Sequence, residues 1–261
     1  MKKKIILLLL VLCVLICVGL IFLLKDNKTD EKLNAEKLME RYEPLIVLRY
    51  HVPEDYFGYL VRYDSLNASQ IPVDAKIFLA CNNAVSFDGK LLTLKNDNYV
   101  TNIPRSAVKK QMYLAFNDDS YKDQSTKPIY SSTGVNEGYL YSSDKKNYSN
   151  VVPNIAVSFD GNSIYTKIVD SVLTADGLDI YLKVAFLTYE QTNDEALALN
   201  WSKNSGYIKN IKVYADYEKN IFIGDSKSEN IYKKFSDKLS TFVFSFKKND
   251  NNYYLYSVKK R

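Results

Sequence analysis

The stretch TFVFSFKKNDNNYYLYSVKK, residues 241–260, is the clearest fold signal in this sequence. Phe242, Phe244 and Phe246 alternate with polar or small residues, as in a strand that buries one face. Asn249 to Asn252 are residues typical of turns, and the Tyr-rich run after them favours a second strand. The chain is therefore predicted to close with a β-hairpin.

A helix and several strands are predicted before this hairpin. Ser228 to Leu239 places Ile231, Tyr232 and Phe235 on one helical face, with Ser228 as the cap. Asp176-Gly177 marks a tight turn between two strands. Residues 191–206 favour either one helical turn or a loop. Strands rich in Tyr, Val and Ile are predicted at 138–143, 155–159, 163–169, 178–190 and 208–217.

The preceding part of the chain mixes strands and helices. LIVLRY (45–50) and YLVRY (59–63) predict short strands, and further strands are expected near 84–94 and 98–102. Helices are predicted at about 70–82 and 105–117 from apolar residues at helical spacing. The fold class is therefore α+β: an N-terminal transmembrane helix, then a mostly antiparallel β-sheet with about three packed helices.

The run IILLLLVLCVLICVGLIFLL, residues 5–24, carries no charge and is long enough to cross a hydrocarbon core of about 30 Å. Lys2, Lys3 and Lys4 precede it, so the N-terminus is expected on the cytoplasmic side. A cleaved signal peptide fits less well, since the apolar run is longer and no small-residue cleavage site follows. A lipidated cysteine and a buried helix of a soluble domain are two further hypotheses for this run.

These patterns predict four segments. Residues 1–4 form a cytoplasmic tip, 5–24 the transmembrane anchor, and 25–43 a juxtamembrane helix or linker. Residues 44–261 form an extracytoplasmic domain, which could divide into two subdomains near 118–137. Heavy use of Lys, Asn, Ile and Tyr is typical of AT-rich coding and suggests a bacterial source.

Charge argues against a nucleic-acid partner. The net charge is +5, but Lys2, Lys3, Lys4 and Lys25 supply four of these charges and no acid lies among residues 1–25. Residues 26–261 are left at about +1, whereas nucleic-acid binders cluster basic groups on one face.

Cysteine and histidine are too few for the common catalytic and metal-binding patterns. Cys13 and Cys17 lie in the predicted anchor, so Cys81 has no disulfide partner in the exported part, where a buried inert thiol is expected. His51 is the single histidine, so Ser-His-Asp catalysis and a histidine-based zinc site lack support. Glu54 and Asp55 could orient it, but no nucleophile is indicated nearby.

Acidic and glycine-rich motifs are equally weak. Asp118, Asp119 and Asp123 lack the glycine and the distal Glu of a calcium loop and predict a solvated acidic loop. No phosphate-binding glycine motif is present. The hexapeptide AVSFDG occurs at 84–89 and 156–161; either a duplication or two strand-turn segments of similar chemistry explain it. The sequence therefore indicates no catalytic, cofactor-binding or metal-binding residue and no cofactor.

Tyrosines are the remaining candidates for function. Tyrosine suits both binding surfaces and strands in general. The leading hypothesis is a membrane-anchored, non-catalytic extracytoplasmic domain that binds a protein or a cell-envelope component. Two further hypotheses are a surface hydrolase that acts through dispersed carboxylates and a structural or assembly subunit of a membrane complex. The tyrosines concerned are Tyr139, Tyr141, Tyr148, Tyr165, Tyr181, Tyr189, Tyr207, Tyr214 and Tyr217.

Overall fold

The structure is a computed structural model that describes residues 35–46, 56–95, 98–126, 138–153, 162–192, 208–227, 230–250 and 252–261. The chain divides into two units, Met1–Met39 and Glu40–Arg261, and in the first unit the described residues 35–39 are helical. The predicted anchor at 5–24 lies outside the described residues. Within the described ranges, no helix has the length and apolarity needed to span a bilayer.

The described part of the second unit contains strands and a smaller number of helices. The helices are α1 (Val73–Phe87), α2 (Arg105–Phe116) and α3 (Ile231–Phe235). The strands are β1 (Ser65–Asn67), β2 (Leu92–Lys95), β3 (Asn98–Pro104), β4 (Leu140–Ser142), β5 (Asn147–Pro153), β6 (Asn162–Leu173), β7 (Gly177–Gln191), β8 (Ile208–Tyr214), β9 (Phe222–Ser226), β10 (Ser240–Asn249) and β11 (Asn252–Lys260).

The strands form two antiparallel sheets, so the predicted α+β class with mostly antiparallel pairing is confirmed. The larger sheet has the order β1-β11-β10-β7-β8-β9. β6 pairs with the edge of β7 that lies opposite to β10 and β8. The smaller sheet has the order β2-β3-β5-β4. β7 is long enough to pair with β10 along its first half and with β8 along its second half.

The two faces of the larger sheet are covered differently. Phe242, Phe244 and Phe246 of β10 are buried on the inner face, as the hairpin pattern predicts. Tyr42 joins this core against α2, because its ring lies 5.4 Å from Phe246 and 6.1 Å from Phe116. The opposite face is covered by α3 only over the second half of β7, where Ala185, Leu187, Tyr189, Ile208, Ile211, Val213, Ile231, Phe235 and Leu239 form a core.

The C-terminal end of α2 is fastened to the final hairpin by polar contacts. The Tyr42 hydroxyl donates to the Ala115 carbonyl oxygen at 2.6 Å and accepts from the Leu255 backbone N–H at 3.1 Å. Arg41 donates to the Leu114 carbonyl oxygen at 2.8 Å. These contacts satisfy carbonyl groups that a helix end leaves without an intrahelical partner. They fix the helical layer against the inner face of β11.

One predicted strand is wrong, and a second is contradicted at the two of its residues that the structure describes. In place of a strand at 59–63, Tyr59–Val61 form a 3₁₀ turn, where the consecutive Leu60 and Val61 are both buried. A strand would send neighbouring side chains to opposite faces. Likewise, Leu45 and Ile46 are both buried at the end of a 3₁₀ turn, Glu43–Leu45, and residues 47–50 lie outside the described ranges.

The first AVSFDG copy is not a strand either. Residues 84–87 end α1, and the Asp88 N–H bonds to the Ala84 carbonyl oxygen as the helix closes. The second copy lies outside the described residues. Of the helix predicted over 228–239, the described residues are helical over Ile231–Phe235, and residues 228–229 lie outside the described ranges. The helix predicted at 105–117 is confirmed as α2.

Candidate binding surface

One half of the larger sheet presents its second face to solvent over β7, β10 and β11. The strand register sets Lys247, Ser245, Val243 and Thr241 beside the odd-numbered residues of β7. The β7 partners are Gly177, Asp179, Tyr181 and Lys183. Gly177 is buried, and the side chains of the other residues in these pairs are half-buried. We call this the outer face and define it by Asp179, Tyr181, Lys183, Thr241, Val243, Ser245, Lys247, Tyr254, Tyr256, Ser257, Lys259 and Arg261.

Cationic side chains lie over the aromatic rings of the outer face. The Lys247 ammonium is 3.9 Å from the centre of the Tyr256 ring, and Tyr256 is 48% exposed. The Arg261 guanidinium lies 5.4 Å from the centre of the Tyr181 ring. Such pairs hold a cation against the ring face and leave the rest of both groups accessible to a ligand.

The charge of the outer face is positive. On β7, β10 and β11, Lys183, Lys247, Lys259 and Arg261 accompany one carboxylate, that of Asp179. The neighbouring strand β6 adds one cation and one carboxylate to the same face, Lys167 and Asp170, so the positive excess is unchanged. The Lys183 ammonium is partly engaged, since it donates to the Leu239 carbonyl oxygen at 3.1 Å. Flat aromatic rings surrounded by cations suit a ligand that combines apolar or sugar-like surface with negative charge.

A β-bulge determines which tyrosines reach the outer face. Phe246 pairs with Leu255 but Ser245 pairs with Ser257, so Tyr256 is an extra residue in β11. Leu255 and Val258 both point inward although they are three residues apart. The bulge places Tyr256 and Ser257 together on the outer side.

A cleft opens where the outer face meets two hairpin turns. Its volume is about 660 Å³, and it is lined by the turn 174–177 and by Lys247, Lys248, Asp250 and Tyr253. The Lys248 N–H bonds to the Asp176 carbonyl oxygen at 3.0 Å and holds the two turns together. Because Lys247 belongs to both surfaces, the cleft continues the outer face.

Of the acids singled out in the sequence, Asp118 and Asp123 have separate partners. Asp123 is an internal ion-pair partner, since it binds Arg105 and accepts from the Tyr148 hydroxyl at 2.8 Å. Asp118 accepts from the Ser120 N–H at 3.2 Å, and the Lys76 ammonium lies 4.0 Å from it. The solvated acidic loop expected from the sequence is therefore wrong for Asp123, whose side chain is paired and only 11% exposed, whereas Asp119 is exposed as expected.

Tyr121, Tyr148 and Cys81 are buried titratable groups in this part of the domain. Burial raises the pKa of Tyr148, of Tyr121 and of the Cys81 thiol, which keeps the thiol protonated and poorly nucleophilic. The Tyr121 hydroxyl is buried beside Tyr148. Among the described residues it has no hydrogen-bond partner at good geometry. Across those residues, no group of three or more His, Cys, Asp or Glu side chains is arranged to hold a metal ion.

The tyrosines named from the sequence divide between core and surface. Tyr139, Tyr148 and Tyr189 are buried, whereas Tyr181 lies on the outer face. Tyr214 packs against Phe222. His51, Glu54, Asp55 and Tyr207 lie outside the described residues.

Sequence reasoning did not single out the residues that complete the outer face. The sequence pattern predicts the hairpin that carries Tyr254, Tyr256, Lys247 and Lys259, but it does not indicate that they share one surface. The signal that could have found them was the three-residue spacing between Leu255 and Val258, which indicates a bulge in an otherwise alternating strand. Comparison with protein-family models, curated proteins and solved structures finds no match to this chain.

Proposed function

We propose that this chain is a membrane-tethered, non-catalytic domain held outside the cytoplasm, and that it binds a protein or a cell-envelope component through the outer face. The tether is the apolar run at 5–24 with its preceding lysines. The observation that carries the binding role is the solvent-facing sheet surface on which Lys247 covers Tyr256 and Arg261 covers Tyr181.

The rings on the outer face are supported by a rigid scaffold. Tyr181 lies in β7, which is paired on both sides, and its neighbours Ile180 and Leu182 are buried in the inner core. A side chain held in this way loses little conformational entropy when a ligand covers it. Tyrosine also contributes disproportionately to binding energy at protein interfaces.

The excess of cations favours a ligand with negative charge. Lys247 and Arg261 are held over aromatic rings, and Lys259 is exposed beside them. Exposed charges of this kind accelerate association with an oppositely charged partner more than they strengthen the final complex. We therefore expect binding to weaken as salt concentration rises.

The test uses the full-length chain in lipid vesicles and purified cell-envelope fragments as the probe. Wild-type protein should cosediment with the fragments, and Tyr256→Ala should weaken binding at least about fivefold, equivalent to about 1 kcal/mol. The control is Phe87→Ala, since Phe87 is also an exposed aromatic but lies on α1, in the helical layer on the other side of the sheet.

Protease treatment of the fragments separates the two kinds of ligand, because only a protein ligand would be destroyed. Equal binding by Tyr256→Ala and wild type, or no binding by wild type, would remove the proposal. The tether is tested separately: a reporter fused after Arg261 should be active only outside the cytoplasm.

A further inference from the structure

Strand β6 is a long edge of the larger sheet. It runs over Asn162–Leu173 and, within the described residues, pairs with β7 alone. Val169, Val172 and Leu173 are 38%, 44% and 55% exposed. The other side of β6 therefore carries backbone groups that can pair with a further strand.

A bulge in β6 brings two opposite charges to one face. Ile168 pairs with Leu182 and Asp170 pairs with Tyr181, so Val169 is an extra residue. Lys167 pairs with Lys183, which shares the face of Tyr181. In a regular strand, residues 167 and 170 would point to opposite faces, but the bulge puts both on the same one.

We propose that β6 pairs antiparallel with β6 of a second copy of this chain, so that Lys167 of each copy lies opposite Asp170 of the other. In this two-fold register Thr166 faces Ser171 and Tyr165 faces Val172. Without the bulge, the two side chains of each facing pair would point to opposite faces of the sheet. The bulge places both on the same face. The contact is isologous, as expected for a two-fold dimer.

Charge complementarity is what selects a second copy as the partner. Within the described residues the Asp170 carboxylate has no cationic partner; it accepts only the N–H of Ser171 at 2.9 Å. Lys167 is exposed, and its ammonium lies 3.8 Å from the centre of the Tyr232 ring of its own copy. Pairing with Asp170 of the second copy therefore requires this long side chain to turn from the ring towards the edge of β6. Two Lys–Asp pairs form in the dimer, one on each side of the axis.

The same register also covers apolar surface. Leu173 would face Ile164 and Val172 would face Tyr165, and both Val172 and Leu173 are among the more exposed apolar side chains described. Contacts between single edge strands are small compared with stable protein interfaces. The dimer should therefore be weak in dilute solution and be favoured when copies share one membrane.

The experiment measures energy transfer between donor- and acceptor-labelled full-length copies in the same lipid vesicles. Wild type should associate, while Lys167→Asp or Asp170→Lys should each raise the dissociation constant at least about tenfold, because both cross-strand pairs become repulsive. A mixture of the two single variants should associate like wild type, since each carboxylate of one variant would then face an ammonium of the other. The double variant, carrying both changes, should do the same.

The control is Lys238→Asp, which reverses an exposed charge outside β6 and should leave association unchanged. Lys167 and Asp170 are exposed, so their variants should fold, and an unaltered circular dichroism spectrum would verify this. Equal association in all samples would overturn the proposal, because the anchor helices alone would then account for it. Absence of wild-type association, or failure of the mixture to recover, would also overturn it.

Discussion

Replacing Tyr42 by phenylalanine should reveal how much the polar attachment of α2 to β11 contributes to stability. The ring is fully buried, and its hydroxyl donates to the Ala115 carbonyl oxygen at 2.6 Å and accepts from the Leu255 N–H at 3.1 Å. Phenylalanine keeps the ring, so the apolar contacts with Phe116 and Phe246 remain. Only the two hydrogen bonds are lost.

The cost follows from the two groups left behind. Ala115 and Leu255 are 0% and 1% exposed, so water does not replace the missing hydroxyl. An unsatisfied buried polar group costs about 1–3 kcal/mol, so two such groups give about 2–6 kcal/mol for Tyr42→Phe. That is a large part of the total free energy of unfolding of a typical domain, about 5–15 kcal/mol.

Urea unfolding of the full-length chain in mild detergent measures this cost. The midpoint should fall while the slope of free energy against urea stays constant, because the surface exposed on unfolding is unchanged. Tyr63→Phe is the matched control, since Tyr63 is 44% exposed and its change should stay within about 0.5 kcal/mol. A loss below about 1 kcal/mol for Tyr42→Phe would refute the reasoning, as it would mean that the two groups find other partners.

Three further predictions concern stability. Gly177→Ala should prevent or severely weaken folding, because a Cβ there would overlap the Phe246 carbonyl oxygen. The control is Gly89→Ala, whose Cβ would meet no atom within 4 Å and which should be tolerated. Thermal unfolding compares the two variants. Asp123→Ala should cost about 1–3 kcal/mol in urea unfolding, because a buried tyrosine hydroxyl loses its acceptor; wild-type stability would contradict this. Four buried tyrosines should make stability fall above about pH 10. In the unfolded chain a tyrosine ionises near pH 10, whereas burial raises the pKa of these four in the folded state. Tyrosinate absorbance during alkaline titration should show these tyrosines ionising together with unfolding, and gradual ionisation in the folded state would contradict it. They are Tyr42, Tyr121, Tyr139 and Tyr148.

The alkaline effect has a definite sign. A folded-state pKa above the unfolded value means that the folded state retains more protons at high pH than the unfolded state. The associated stability is fully present below about pH 10 and is lost as the pH rises further. Each fully buried tyrosine contributes up to about 1.4 kcal/mol per pH unit in that range.

Local patterns were sufficient where a segment has one strong periodicity. The alternation of Phe242, Phe244 and Phe246 predicted the buried side of β10, and the turn residues after it predicted the hairpin. The helical spacing of Val108 and Met112 predicted α2. Short apolar runs were less informative, since YLVRY satisfies a strand and a 3₁₀ turn equally well, and Tyr59–Val61 form the turn.

The AVSFDG hexapeptide shows the limit of a short motif. At its first occurrence, residues 84–87 continue a helix that began at Val73, and Ala84 is buried within that helix. Six residues do not determine their own conformation when a preceding helix can extend through them at little cost, since helix propagation is easier than initiation.

The sequence by itself determined the composition of the elements: an apolar run at 5–24 suited to a membrane, antiparallel strands with one apolar face, and two helices before the strand-rich half. Only the tertiary structure decided which strands are neighbours and which faces stay open. β7 and β10 are far apart in the chain, and their pairing depends on packing both against one core. The bulges at Val169 and Tyr256 then decide which side chains share a face, because one extra residue reverses the alternation for the rest of a strand.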